Sequence, residues 1–126
     1  MSKGTILLVE DDDIIAKVVG WRLEKLGYSL CGRASSGTEA LDLLERNVPD
    51  LILMDINIKG EINGIETTKM IKKRIHIPVI YLTSHSDDVT LARAKETYPE
   101  GFISKPFNDN DLKVAIELAL NSSTLR

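Results

Sequence analysis

Leu51-Ile52-Leu53-Met54-Asp55 is an unbroken apolar run closed by a carboxylate, and its reading decides the fold. Two other strand-like runs stop on chemically loaded residues. Thr5-Ile6-Leu7-Leu8-Val9 ends in Glu10-Asp11-Asp12, and Gly101-Phe102-Ile103-Ser104 ends in Lys105-Pro106. In an open parallel α/β sheet the working residues gather in the crevice beyond the carboxyl ends of the strands. These runs therefore place several carboxylates and one ammonium in a single pocket. Such a cluster of acids invites a hard divalent cation, Mg²⁺ above all, held by one or two carboxylates plus phosphate oxygens.

Outward from these runs, short apolar stretches alternate with longer amphipathic ones, which predicts repeated βα units and a mainly parallel sheet. The predicted strands are Thr5–Val9, Ser29–Ala34, Leu51–Met54, Val79–Leu82 and Gly101–Ser104. The predicted helices are Asp12–Leu26, Thr38–Asn47, Gly64–Ile75, Asp87–Tyr98 and Asp109–Asn121. Ile15, Val19, Leu23 and Leu26 form one stripe of the first helix, which Gly27 stops. Ser36-Gly37-Thr38-Glu39 has the capping-box form, and Asn108 is the N-cap of the last helix. The fourth helix has a thin apolar side (Val89, Leu91, Ala92, Ala94) and should be the most weakly held. Right-handed crossovers then leave a doubly wound three-layer sandwich.

A chain of 126 residues predicts one domain, with a core at about 5–121 and a polar tail at 122–126. Its net charge of −3 gives no electrostatic reason to expect nucleic acid or an anionic membrane as partner. The one dense basic run, Lys69 to Arg74, reads as the cationic last turn of a helix. Cys31, the single cysteine, reads as a small buried hydrophobe and allows no intramolecular disulfide. No signal-peptide core or membrane-length run follows Met1-Ser2-Lys3-Gly4, so a cytoplasmic location is expected.

A metal and an ammonium around a carboxylate are what in-line phosphoryl transfer to that carboxylate requires, because they neutralise the equatorial oxygens. Asp55 would be the nucleophile and Lys105 the fixed cation. Glu10 and Asp11 would lie beside Asp55, since the first and third strands are neighbours at the topological switch point. Thr83, ending Ile80-Tyr81-Leu82-Thr83, could donate its hydroxyl to a phosphoryl oxygen.

From Ile6 to about Leu120 the chain resembles the receiver domain of two-component response regulators. Glu10-Asp11 matches the acidic pair after the first strand and Asp55 the phosphoacceptor. Thr83 matches the hydroxyl residue, and Lys105-Pro106 the Lys-Pro step. The resemblance implies a flavodoxin-like α/β fold with strand order 2-1-3-4-5. It also implies Mg²⁺, with Mn²⁺ as the substitute ion, held by Glu10, Asp11, Asp55 and the backbone carbonyl of Asn57. It further implies a cis Lys105-Pro106 peptide, and switching through Thr83 and the aromatic Phe102. Asn57 and His85 stand where side chains tune loss of the phosphoryl group. The implied partners are a sensor histidine kinase and a downstream protein met by the fourth helix, fifth strand and fifth helix. Homodimerisation on phosphorylation is a further option. The chain would then be a regulatory domain and not a turnover enzyme.

The segment Ile56-Asn57-Ile58-Lys59-Gly60-Glu61-Ile62-Asn63-Gly64 departs from the family, which usually shows a proline soon after the phosphoacceptor. Here there is none, and the loop is one residue longer before it closes on Asn63-Gly64. A relay intermediate, or a receiver excised from a larger regulator or hybrid kinase, fits the same residues. A haloacid-dehalogenase-like phosphatase would need a second aspartate at position 57, where Asn57 stands. A flavodoxin-like flavin binder would need a phosphate loop where Glu10-Asp11-Asp12 would repel the phosphate.

Overall fold

A computed structural model describes residues 2–84 and 87–124. Five strands alternate with five helices: β1 Thr5–Val9, α1 Asp13–Lys25, β2 Ser29–Ala34, α2 Gly37–Arg46, β3 Leu51–Asp55, α3 Gly64–Arg74, β4 Val79–Thr83, α4 Asp88–Lys95, β5 Gly101–Ser104 and α5 Asp109–Thr124. The sheet is wholly parallel, in the order β2-β1-β3-β4-β5. This is the doubly wound, flavodoxin-like α/β arrangement that the sequence predicts.

Period-two alternation along the strands builds the two faces of the sheet. Ile6, Leu8, Leu51, Leu53, Ile80 and Leu82 pack under α1 and α5. Leu7, Val9, Ile52, Met54, Val79 and Tyr81 pack on the other side, under α2, α3 and α4. β3 and β4 are buried along their whole length, which is why their sequences run apolar without alternation. Each such Leu or Ile side chain contributes about 1.5–3 kcal/mol relative to exposure.

Helix starts are set by polar caps. Asp12 Oδ1 accepts the N–H groups of Ile14 and Ile15 at 2.9 and 3.0 Å, and Asp87 Oδ1 accepts Thr90 N–H at 2.7 Å. Both residues, drawn from sequence as the first residues of their helices, stand just outside them as caps. Ser36 caps α2, but Glu39 returns to the N–H of Ser35 and not of Ser36. Asn63 and Glu66 form a reciprocal capping box on α3, and Asn108 and Asp111 exchange equivalent bonds at α5. α5 runs on to Thr124, past the Asn121 expected.

Cys31 is exposed, contrary to the buried reading. Ile6 pairs with Leu30 and Leu7 with Gly32, so Cys31 is the extra residue of a bulge on an edge strand. α4 is as thinly held as its sequence suggests: only Ala94 is buried, and Val89 is 64% exposed. The end of this helix is tied down instead by Thr97. Its hydroxyl bonds the Tyr81 hydroxyl at 2.7 Å and donates to the Ala94 carbonyl at 2.6 Å. No described helix is long and apolar enough to cross a membrane.

Two glycines shape the loop after β3. Gly60 has φ +121°, in the region that favours glycine. Gly64 opens α3 hard against the end of β3. A Cβ there would overlap the Asp55 carbonyl oxygen and come within 2.9 Å of Ile56 Cα, both backbone atoms that cannot step aside. Gly64→Ala should therefore destabilise the chain by about 1–3 kcal/mol, the usual cost of overpacking, or more. Urea unfolding of the two chains measures this, and an unchanged midpoint would contradict the close approach.

Candidate functional site

The ends of β1, β3 and β5 converge on three ionised-type side chains. Glu10, 1% exposed, follows β1, and Asp55, 5% exposed, closes β3. Lys105 follows β5 and reaches both, with Nζ 3.0 Å from Glu10 Oε1 and 3.4 Å from Asp55 Oδ2. The remaining oxygens are also engaged. Glu10 Oε2 accepts Asp12 N–H at 3.1 Å, and Asp55 Oδ1 accepts Asn57 N–H at 3.0 Å. Asp11 Oδ2 accepts Lys59 N–H at 3.2 Å, which stitches the loop after β3 to the loop after β1.

Glu10, Asp11 and Asp55 each offer an oxygen, and these lie within 4.8 Å of one another. They line an open cavity of about 640 Å³ together with Asn57, Lys59 and Lys105. The donor set is all carboxylate oxygen, two of the three residues being buried, which suits a hard cation and not a soft one. The residues therefore fit Mg²⁺ or Mn²⁺.

Burial pushes the Glu10 carboxyl up to about 7, against an ordinary 4.5; the Asp55 charge adds to the rise, while Asp12 N–H and Lys105 oppose it. Burial by itself would lower Lys105, but its bonds to Glu10 and Asp55 outweigh this and raise it.

Thr83 is buried at the end of β4, the strand beside β3, and its carbonyl accepts Lys105 N–H at 2.8 Å. The Lys105-Pro106 peptide is cis. Phe102 lies on the outer side of β5, 36% exposed, with its ring 5.6 Å from that of Tyr81. Asn57 lines the cavity. His85 lies outside the described residues.

Three residues around the site escaped the sequence reading. Arg33 reaches from β2 to the Glu10 carbonyl at 2.8 Å and to Asp13 at 2.8 Å, holding the acidic loop from outside. Arg22 of α1 donates to the Phe107 carbonyl at 2.6 Å and lies over its ring, steadying the segment after Lys105. Lys59 enters the cavity through the loop that departs from the family pattern. Its signal lies in the sequence: Ile56 and Ile58 alternate with Asn57 and Lys59, a pattern of two residues in and two out. The arginines carried no such signal, since their partners, the Phe107 and Glu10 carbonyls and the Asp13 carboxylate, are remote in sequence.

The raised Glu10 value has a sign that can be checked. A carboxyl raised on folding adds stability that is complete below its unfolded value and is lost as pH rises through its folded value. Metal-free protein should lose this contribution between about pH 4.5 and 7, and Glu10→Gln should remove that part of the pH slope. Denaturant midpoints of both chains across that range provide the measurement, and parallel profiles would contradict a shifted Glu10.

Residues 6–117 match the family model described as the response regulator receiver domain. Among curated proteins, the transcriptional regulatory protein PdtaR of Mycobacterium tuberculosis H37Rv is 33% identical over 92% of this chain and 56% of its own length. The chain spans about half the length of the curated relatives it matches. Among solved structures, the signal receiver domain of a modulated diguanylate cyclase from Desulfovibrio desulfuricans G20 is 34% identical. It superposes with a TM-score of 0.92 over 97% of both chains. The signal receiver domain of a histidine kinase from Syntrophus aciditrophicus is 33% identical, with a TM-score of 0.85 over 94% of this chain and 91% of that one. With acids, lysine and threonine at the ends of the matching strands, the chain belongs to the response regulator receiver domains of two-component systems.

Proposed function

We propose that Asp55 accepts a phosphoryl group from the phosphohistidine of a sensor histidine kinase, or from a small phosphodonor, and that the modified chain signals by binding a partner. The observation that carries this reading is the buried Asp55 carboxylate with Lys105 Nζ at 3.4 Å and oxygens of Glu10 and Asp11 within 4.8 Å. An Asp55 oxygen attacks phosphorus, the P–N bond breaks, and its electron pair stays on the imidazole nitrogen. Lys105 neutralises a phosphoryl oxygen, and the Thr83 hydroxyl donates to another. Glu10, Asp11, Asp55 and the Asn57 carbonyl would hold Mg²⁺ or Mn²⁺, which when bound offsets charge on the transferred group. Water later releases phosphate, with Asn57 and His85 tuning that rate.

The output is a shift between two states of the protein, bounded by how differently the phosphoryl group contacts each. Thr83 moves towards the phosphoryl group, Phe102 follows, and the face made by α4, β5 and α5 changes shape. Phe102, Val114 and Leu118 give that face exposed apolar side chains, which supports its use by a downstream protein or a second copy. The same chemistry serves a relay carrier or the receiver of a hybrid kinase; these differ only in where the phosphoryl group goes next. The chain regulates and does not turn over an external substrate, and a histidine kinase places its work in the cytoplasm.

Incubation with acetyl phosphate, with and without Mg²⁺, tests the reading by intact mass. A Mg²⁺-dependent gain of one phosphoryl group, absent in Asp55→Asn, is the expected result. A folded native chain that gains no mass and binds no beryllofluoride would overturn it.

A further inference from the structure

The loop after β3 carries a cation that the proposed chemistry has not used. Ile56 and Ile58 are buried in the core beneath α2 and α3, and this alternation turns Asn57 and Lys59 outward to line the cavity that holds Asp55. Lys59 N–H is bonded to Asp11 Oδ2 at 3.2 Å, so the root of this side chain is fixed beside a carboxylate of the site. Gly60, with φ +121°, turns the chain away immediately afterwards. A proline at position 59 could supply neither the N–H nor the charge.

The two lysines of the cavity differ in what they are free to do. Lys105 Nζ is committed to Glu10 and Asp55. Lys59 is exposed, and among the described residues its ammonium makes no ion pair. The rim is otherwise acidic: Glu10, Asp11, Asp12, Asp13 and Asp55 all line the same cavity. A phosphodonor arrives as an anion and meets a like-signed field, which slows encounter and weakens binding. Among the described residues lining this cavity, Lys59 is the cation that can oppose that field without first leaving an ion-pair partner.

Resting on the phosphoacceptor reading, we propose that Lys59 is a specificity-determining residue of this site. Its ammonium contacts the phosphate oxygens of the incoming donor and assists capture of small anionic phosphodonors. Lys105 acts on the transferred group itself, whereas Lys59 acts on the binding of the group that brings it. Removing Lys59 should therefore raise the donor concentration needed and leave the maximal rate of transfer nearly unchanged.

The test compares the native chain with Lys59→Ala, Lys59→Glu and Lys59→Arg, each of which keeps the backbone N–H to Asp11. Three quantities are read: the dependence of Asp55 phosphorylation rate on acetyl phosphate concentration, the affinity for beryllofluoride at saturating Mg²⁺, and the affinity for Mg²⁺ alone. For Lys59→Ala the half-saturating acetyl phosphate concentration should rise about two- to fivefold, the range of one exposed charge pair. Lys59→Glu should raise it further, and Lys59→Arg should restore it. Beryllofluoride affinity should follow the same order. Mg²⁺ affinity should hold or tighten in Lys59→Ala, because a like charge has gone. Added salt should weaken donor binding to the native chain more than to Lys59→Ala. Half-saturation unchanged in Lys59→Glu, in a native chain that does take phosphate on Asp55, would overturn the inference and leave the phosphoacceptor reading intact. Mg²⁺ binding weakened in all three variants, Lys59→Arg included, would also overturn it, since that marks a purely structural loop residue. A native chain inert to acetyl phosphate and beryllofluoride would instead remove the reading on which the inference rests.

Discussion

The contact of Lys105 with Glu10 and Asp55 is the interaction on which the rest of this site depends. It joins residues that follow or close β1, β3 and β5, strands remote in sequence that the order of the sheet gathers at one edge of the crevice, with β4 between β3 and β5. Two buried carboxylates a few ångströms apart repel, and burial has removed the water that would screen them. Lys105 supplies part of the compensation. Burial nevertheless holds the Glu10 carboxyl above its ordinary range, to about 7, with Asp55 adding to the rise and Lys105 opposing it. The carboxylate oxygens of Glu10, Asp11 and Asp55, within 4.8 Å of one another, fit a hard divalent cation.

The rest of the architecture divides into a firm half and a loose one. α1, α3 and α5 bury several side chains each against the central strands. α4 buries one alanine and relies on the Tyr81–Thr97 hydrogen bond to hold its far end. Tyr81 and Thr83 share a face of β4, so the strand that ends beside Asp55 is also the strand that anchors α4. An element with so few buried apolar contacts opens and shifts at low cost. α4 and the neighbouring edge strand β5, where Phe102 lies against Tyr81 from outside the core, are therefore the loosest side of the fold.

Most of the frame was legible because it rests on local periodicity. The apolar runs of β1, β3, β4 and β5, each closed by a polar residue, located both the sheet and the pocket beyond it. Asp55, Glu10, Asp11 and Lys105 were found for the same reason. Misreadings fell where a residue's role depends on a neighbour it cannot name. Asp12 and Asp87 look like helix residues until the N–H groups they cap are in view. Cys31 looks buried within an apolar stretch until the register with β1 shows a bulge on the sheet edge. Arg22 and Arg33 look like ordinary surface charges until they are found on the Phe107 and Glu10 carbonyls.

By itself the sequence determined the order of elements, the pairing of apolar runs with terminal charges, and the placing of Glu10, Asp11, Asp55 and Lys105 around one pocket. Those follow from periodicity and from which side chains can bear charge at a strand end, and both are properties of the chain read in one dimension. Only the tertiary structure decided the distances among the carboxylates, the shift they impose on Glu10, the close approach that requires Gly64, and the entry of Lys59 into the cavity. The reason is that electrostatic and steric energies depend on separations across the fold, and these are set when strands remote in sequence settle into one sheet.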